Sequence, residues 1–248
     1  MRINMYKEFS YIYDKLMKTQ VDYNLLVLNL LKICKKNNLY IEDILECAMG
    51  TGMLTEKFLE KNFNVDGFDI SSDMLAVAYN RLEKFQNKNI FKADVRYFNI
   101  DKKYDLILCL FDCVNYLKTL NDIEKFLNNV YIKMKEDSIF FFDLNSEYKL
   151  KKYLGNNIFI NEQMDIFYTW ENFFKKTYID FKINFFIKEK NFYKRIEETQ
   201  RQYIYSEEEI EKIIQKVGFK KVEKLDFDTF EKVNKKSYRI LYILKKQK

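Results

Sequence analysis

Ile44-Leu45-Glu46-Cys47-Ala48-Met49-Gly50-Thr51-Gly52 is an apolar run that starts after Glu42-Asp43 and ends in a turn of small residues. Met53, Leu54, Phe58 and Leu59 follow at the spacing of one helix face, so the stretch reads as strand, turn, helix. A Gly-x-Gly turn at that junction lets backbone approach a ligand closely and aims free helix N–H groups at it. Two of the chain's 5 glycines stand in this turn, against a glycine-poor background. Alone, the pattern fits a nicotinamide or flavin site equally well, or a tight turn with no ligand.

Working outward, Asn64-Val65-Asp66-Gly67-Phe68-Asp69-Ile70 reads as a second strand ending in an acid. Asp69 follows the glycines at close to the roughly 20-residue offset at which an acid meets ribose hydroxyls. Ser71 then opens a helix with Met74, Leu75, Ala78, Tyr79 and Leu82 on its apolar face. The third glycine of the dinucleotide fingerprint is missing, because the turn continues Met53-Leu54-Thr55, and this counts against NAD and FAD.

Leu45-Glu46-Cys47-Ala48-Met49-Gly50-Thr51-Gly52 resembles the first motif of class I S-adenosylmethionine (SAM) dependent methyltransferases. Three further matches follow in that family's order: Val65–Ser71 with Met74-Leu75, then Ala93-Asp94-Val95, then Tyr104-Asp105-Leu106-Ile107-Leu108. The resemblance is closest to small bacterial members acting on small molecules, a group that includes aminosugar N-methyltransferases. It implies a cofactor site of Glu46, Ala48, Gly50, Gly52, Asp69, Ile70 and Met74, with Asp94 and Val95 at the adenine and the Leu110 carbonyl at the amino group. It also implies an N-terminal lid in which Tyr13 and Lys18 approach the SAM carboxylate. Glu46 stands where the family more often has Asp, and Met49 where it has a smaller residue. Met49 either crowds the cofactor or packs beneath the turn.

Composition bounds the remaining choices. A chain of 248 residues with 48% hydrophobic and 17% aromatic content has enough apolar surface for one sizeable domain with an insertion. The net charge of +6 is lysine-rich and dispersed, which argues for solvation and against a nucleic-acid footprint. No histidine is present, which removes Ser-His-Asp triads, Cys-His dyads and His-based metal sites. Cys34, Cys47, Cys109 and Cys113 form no C-x-x-C pairs and read as reduced thiols of a soluble cytoplasmic protein without metal, Cys47 and Cys109 on core strands. No stretch approaches the roughly 18 apolar residues of a membrane span.

Along the rest of the chain, residues 1–38 read as a helical lid, its second helix running from about Tyr23 to Lys35 and largely buried. Residues 89–94 and 104–110 read as the third and fourth strands. Asn121 or Asp122 caps a helix with Ile123, Phe126, Leu127, Val130, Tyr131 and Met134 along one stripe, before a fifth strand over 138–144. In residues 146–205 the period becomes two: Met164, Ile166, Tyr168 and Trp170 alternate with polar residues, as do Ile179, Phe181, Ile183, Phe185 and Ile187. This predicts an antiparallel insertion over the mouth of the site. Ser206-Glu207-Glu208-Glu209 is a capping box with Gly218 as its stop, and two last strands near 219–228 and 237–245 form a hairpin.

The expected architecture is therefore α/β: a Rossmann-like, doubly wound, mostly parallel seven-stranded sheet with an antiparallel terminal hairpin, an N-terminal helical lid and an antiparallel β insertion after strand five. Residues 1–145 with 206–248 make the SAM-binding domain and 146–205 the insertion. The expected activity is methyl transfer from SAM, leaving S-adenosylhomocysteine, to a nitrogen or oxygen of a small molecule, by a monomer or homodimer. Asp112, Asn115, Tyr116, Tyr168, Trp170 and Glu171 are the substrate-side candidates. The competing readings are an NAD-dependent oxidoreductase, a non-catalytic SAM-binding protein and an RNA methyltransferase.

Overall fold

The computed structural model describes residues 12, 14–17, 19–163 and 165–246. Tyr13 and Lys18, the aromatic positions Tyr6, Phe9 and Tyr11, and Met164 lie outside the described residues.

After helix α1 (Tyr23–Lys36), strands and helices alternate: β1 (Asp43–Cys47), α2 (Met53–Leu59), β2 (Asn64–Asp69), α3 (Ser72–Leu82), β3 (Lys88–Lys92), β4 (Tyr104–Cys109), α4 (Leu120–Lys133) and β5 (Met134–Asn145). Helix α5 (Glu207–Val217) leads into the terminal strands β10 (Phe219–Asp226) and β11 (Arg239–Lys246). These strands make one seven-stranded sheet in the order β10-β11-β5-β4-β1-β2-β3. The first five are parallel, and β11 runs antiparallel between β5 and β10. The expected Rossmann-like sheet with a reversed terminal hairpin is what the chain forms.

The strands read as near-continuous apolar runs because both faces are covered. Leu106, Leu108, Ile139 and Phe141 pack with α1, α2 and α3. Ile107, Cys109, Phe140 and Phe142 alternate with them and pack with α4 and α5 on the other face. Every parallel strand thus ends its C-terminal tip at the same edge, where ligands of such sheets bind.

Four local expectations need correction. Leu25 and Leu28 of α1 are 52% and 46% exposed, because only Tyr23, Leu26, Val27, Leu30 and Cys34 face the sheet. Tyr79 of α3 is half exposed, its hydroxyl donating to the Ile90 carbonyl at 2.6 Å. The cap of α4 is Thr119 and not Asn121 or Asp122: Thr119 Oγ1 accepts from the Asp122 N–H at 3.1 Å, and the Asp122 carboxylate accepts in return. That helix stops at Lys133, so Met134 already belongs to β5.

Between β5 and α5 lies a separate four-stranded antiparallel sheet, β6 (Ile158–Gln163), β7 (Ile166–Phe174), β8 (Tyr178–Glu189) and β9 (Phe192–Tyr203), in chain order. Ile12 and Leu16 of the N-terminal segment pack into its face with Ile166, Phe185 and Ile196. The first segment and the insertion therefore share a small core. Among the described residues no helix is long and apolar enough to cross a membrane.

Candidate active site

The turn after β1 is built from positive-φ backbone at Ala48 (54°), Gly50 (55°) and Gly52 (76°). The two glycines differ in purpose. A Cβ on Gly50 would meet nothing within 4 Å, so its bare Cα faces open space. A Cβ on Gly52 would lie 3.0 Å from Leu82 and 3.3 Å from Ala78, so Gly52 lets α3 pack closely and stays out of the cavity lining. Met49 lies in the apolar core over Gly67 of β2 and also lines the cavity beside the turn. A Cβ on Gly67 would sit 2.5 Å from the Met49 sulfur. Gly67→Ala is thus expected to destabilise the fold by about 1–3 kcal/mol, the range for overpacking. In Met49→Ala the same change should cost less, which a urea double-mutant cycle measures.

Two acids flank the turn. The Asp69 carboxylate accepts from the Gly50 N–H at 2.9 Å and from the Ser71 N–H at 2.8 Å, tying the first strand end to the second. Burial nevertheless raises its pKa, these backbone donors opposing the shift. Glu46 is fully enclosed, and burial pushes its pKa up to about 8; the Thr55 hydroxyl donates to it and lowers it, while Asp69 raises it further. On the outer side of the turn, Thr51 donates to Asp14, which also pairs with Arg81, and Arg81 Nε donates to the Thr51 carbonyl at 2.9 Å.

The other end of the cavity is polar. After β4 the chain takes two successive left-handed residues, Phe111 (φ 65°) and Asp112 (57°). Such backbone in non-glycine residues stores strain and collects at functional sites. Asp112 is held on all sides: Arg239 Nη2 donates to it at 3.2 Å, Asn145 Nδ2 at 3.1 Å, and Gln202 Nε2 also donates. Its own N–H donates to Asp143 at 3.0 Å. Burial pushes Asp143 up to about 7, Arg239 pulling it down and Asp112 pushing it up. Lys149 follows β5 and donates to Asn145 Oδ1 at 2.8 Å.

Between these ends lies a cavity of about 850 Å³. Tyr168 and Trp170 project from one face of β7 as its roof, with Phe181 and Phe185 of β8 beside them. Trp170 and Phe181 meet edge to face, ring centroids 5.5 Å apart.

Of the predicted cofactor residues, the structure gathers Glu46, Ala48, Gly50, Asp69, Ile70, Met74 and Leu110 along this cavity. Of the predicted substrate residues it brings Asp112, Tyr116, Tyr168 and Trp170 there. Besides Gly52, four others are not part of its lining. Glu171 points to the opposite face of β7 from Trp170, as strand alternation requires. Asn115 is buried as a bracket, its Oδ1 accepting from the Asn145 N–H at 2.7 Å and its Nδ2 donating to the Tyr203 carbonyl at 3.1 Å. Asp94 is engaged by Arg96, whose Nε donates to it at 2.9 Å and holds its carboxyl below the usual range. Val95 turns into the core beneath.

Lys149, Arg239, Gln200 and Gln202 also line the cavity and carry no sequence motif. Only Asn145, at the C-terminal tip of β5, sits where the strand-end rule could have found it. Among the described residues no group of three His, Cys, Asp or Glu side chains is placed to hold a metal.

Residues 44–137 match the family described as a methyltransferase domain. A SAM-dependent methyltransferase from Clostridium acetobutylicum ATCC 824, known from its crystal structure, is 36% identical, covering 98% of this chain and 99% of that one with a TM-score of 0.90. The putative methyltransferase YqeM of Bacillus subtilis (strain 168) is 30% identical over 71% of this chain and 72% of its own length. DesVI of Streptomyces venezuelae, at 16% identity and a TM-score of 0.81 over 96% of this chain and 98% of its own, shares the fold. The nicotinamide reading that the Gly-x-Gly turn alone allowed is thereby set aside. The chain belongs to the SAM-dependent methyltransferases.

Proposed function

We propose that this enzyme transfers the methyl group of SAM in line to a nitrogen or oxygen of a small molecule held between the strand tips and the insertion. The observation that carries the reading is the cavity of about 850 Å³, with the glycine turn at one end, fixed polar groups at the other and an aromatic roof. That volume lies within the roughly 300–1,000 Å³ of small-molecule sites.

The turn fits the cofactor. Gly50 leaves open space where a side chain would stand, and Asp69 offers carboxylate lone pairs beside it for ribose hydroxyls. The Leu110 carbonyl, at the end of β4, is suited to the amino group. SAM brings a sulfonium whose methyl is already activated, so what remains for the protein is alignment and exclusion of water. Tyr168, Trp170, Phe181 and Phe185 exclude water, and Asp112 with Tyr116 borders the acceptor. A hydroxyl acceptor needs a base, yet Asp112 already accepts from Arg239, Asn145 and Gln202, which favours an amine. Buried, unpaired thiols at Cys34, Cys47 and Cys109 suit a reducing cytoplasm.

Calorimetric titration with SAM, S-adenosylhomocysteine and NAD in parallel tests the reading. Binding of the two sulfur compounds and not of NAD is expected, whereas binding of NAD alone overturns it.

A further inference from the structure

We infer that the methyl acceptor is an acid, a small molecule whose carboxylate or phosphate is received by the Lys149 ammonium at the polar end of the cavity. The inference rests on the methyltransferase reading above and adds the chemical class of the acceptor.

Lys149 lines the cavity and donates one hydrogen bond, to the neutral Asn145 Oδ1 at 2.8 Å. An ammonium carries three donors, so two remain. Among the described residues no carboxylate forms an ion pair with it, unlike the cavity's other cation: Arg239 meets Asp112 at 3.2 Å and Asp143 at 3.3 Å.

The surrounding network fixes this arrangement. Asn145 Nδ2 donates to Asp112 at 3.1 Å and to Gln202 Oε1 at 2.8 Å, so its amide cannot turn, and its oxygen must face Lys149. The Ser146 hydroxyl accepts from the Lys149 N–H at 3.1 Å and anchors the start of the turn that carries it. Asp112 is bound by Arg239, Asn145 and Gln202, so it cannot swing over to neutralise the lysine.

Burial, with the positive charge of Arg239, depresses the Lys149 pKa; the charges of Asp112, Asp228 and Asp143 work the other way without restoring it. A cation held under those conditions gains most from an anionic oxygen brought into the cavity, where the pair is shielded and charge-assisted. The aromatic roof over Tyr168 and Trp170 then covers the apolar body of the same ligand.

Trp170 is the chain's one tryptophan and lines this cavity, so its fluorescence reports ligands there directly. Protein saturated with S-adenosylhomocysteine would be titrated with phenylacetate, phenyl phosphate, phenylacetamide and phenethylamine, for wild type and for Lys149→Gln, Lys149→Met and Lys149→Arg. At least one acid should bind on the order of tenfold or more tighter than the neutral amide. That preference should vanish in the Gln and Met variants and survive in Arg. Whichever acid binds better identifies the carboxylate or the phosphate as the natural group.

Equal response to acid and amide, no response to any probe, or an unchanged preference in both neutral variants overturns the inference. Two neutral variants of different shape, with melting curves for each, separate loss of charge from loss of fold. Failure of wild type to bind S-adenosylhomocysteine sinks the functional reading itself, while its binding with no anion preference sinks this inference alone.

Discussion

Asp69→Ala is expected to weaken S-adenosylhomocysteine binding on the order of hundredfold, as two hydrogen bonds to a charged acceptor are lost. The carboxylate also accepts from the Gly50 and Ser71 N–H groups, so the same change leaves two backbone donors without a partner and loosens the turn. Part of the loss is thus loss of a preformed shape. Asp69→Asn separates the two effects, because the amide keeps the volume and one acceptor but turns an NH2 toward one of the backbone donors. Its affinity should fall between wild type and Asp69→Ala in calorimetric titration. Wild-type affinity in the alanine variant would remove Asp69 from the site.

Glu46→Gln should change markedly how stability depends on pH. The pKa of Glu46 in the fold is raised from 4.5 to about 8, chiefly by burial. A raised folded pKa contributes stability that is complete below the unfolded value and is lost as pH rises through the folded one. At about 1.36 kcal/mol per unit, the fold gives up roughly 5 kcal/mol across that window because a buried carboxyl must ionise. Glutamine keeps an oxygen for the Thr55 hydroxyl and cannot ionise. Urea unfolding at about pH 6 and about pH 8.5 should therefore show the variant gaining on wild type at the higher pH. A slope in the same direction remains from Asp143, raised to about 7 in the fold. No histidine contributes anywhere in this range, as the chain has none. Parallel profiles for the two proteins would refute the shifted Glu46.

The larger sheet was legible because its signals are local. Short, largely apolar runs behind Asp43, Asn64 and Tyr104, the small-residue turn after Cys47, and the Ser206–Glu209 box each declare themselves within about ten residues. The strand β6 gave no such signal, since most of its side chains are exposed and no alternation develops. The end of the cavity nearest the turn was equally readable, through Glu46, Gly50 and Asp69. The far end was not. Asn115 and Glu171 are polar residues near the right strands, but one turns inward as a bracket and the other projects from the wrong face. Lys149 and Arg239 sit among 43 lysines and arginines, and only the fold distinguishes them.

The two ends also differ in how far apart in the chain their parts lie. Gly50 and Asp69 are 19 residues apart, and Thr55 and Glu46 are 9. The Asn115–Tyr203, Gln202–Asp112 and Arg239–Asp112 contacts span 88, 90 and 127 residues. An engineer wishing to move acceptor choice from one such enzyme to another cannot, on this geometry, transplant the four-stranded insertion by itself. Gln202 would leave Asp112 behind, Asn115 would lose the Tyr203 carbonyl, and a partly buried carboxylate would face whatever the new host supplied. The transferable unit is a discontinuous one: the loop after β4, the tip of β5, the insertion and the first residue of β11, exchanged together, with the glycine turn left in place.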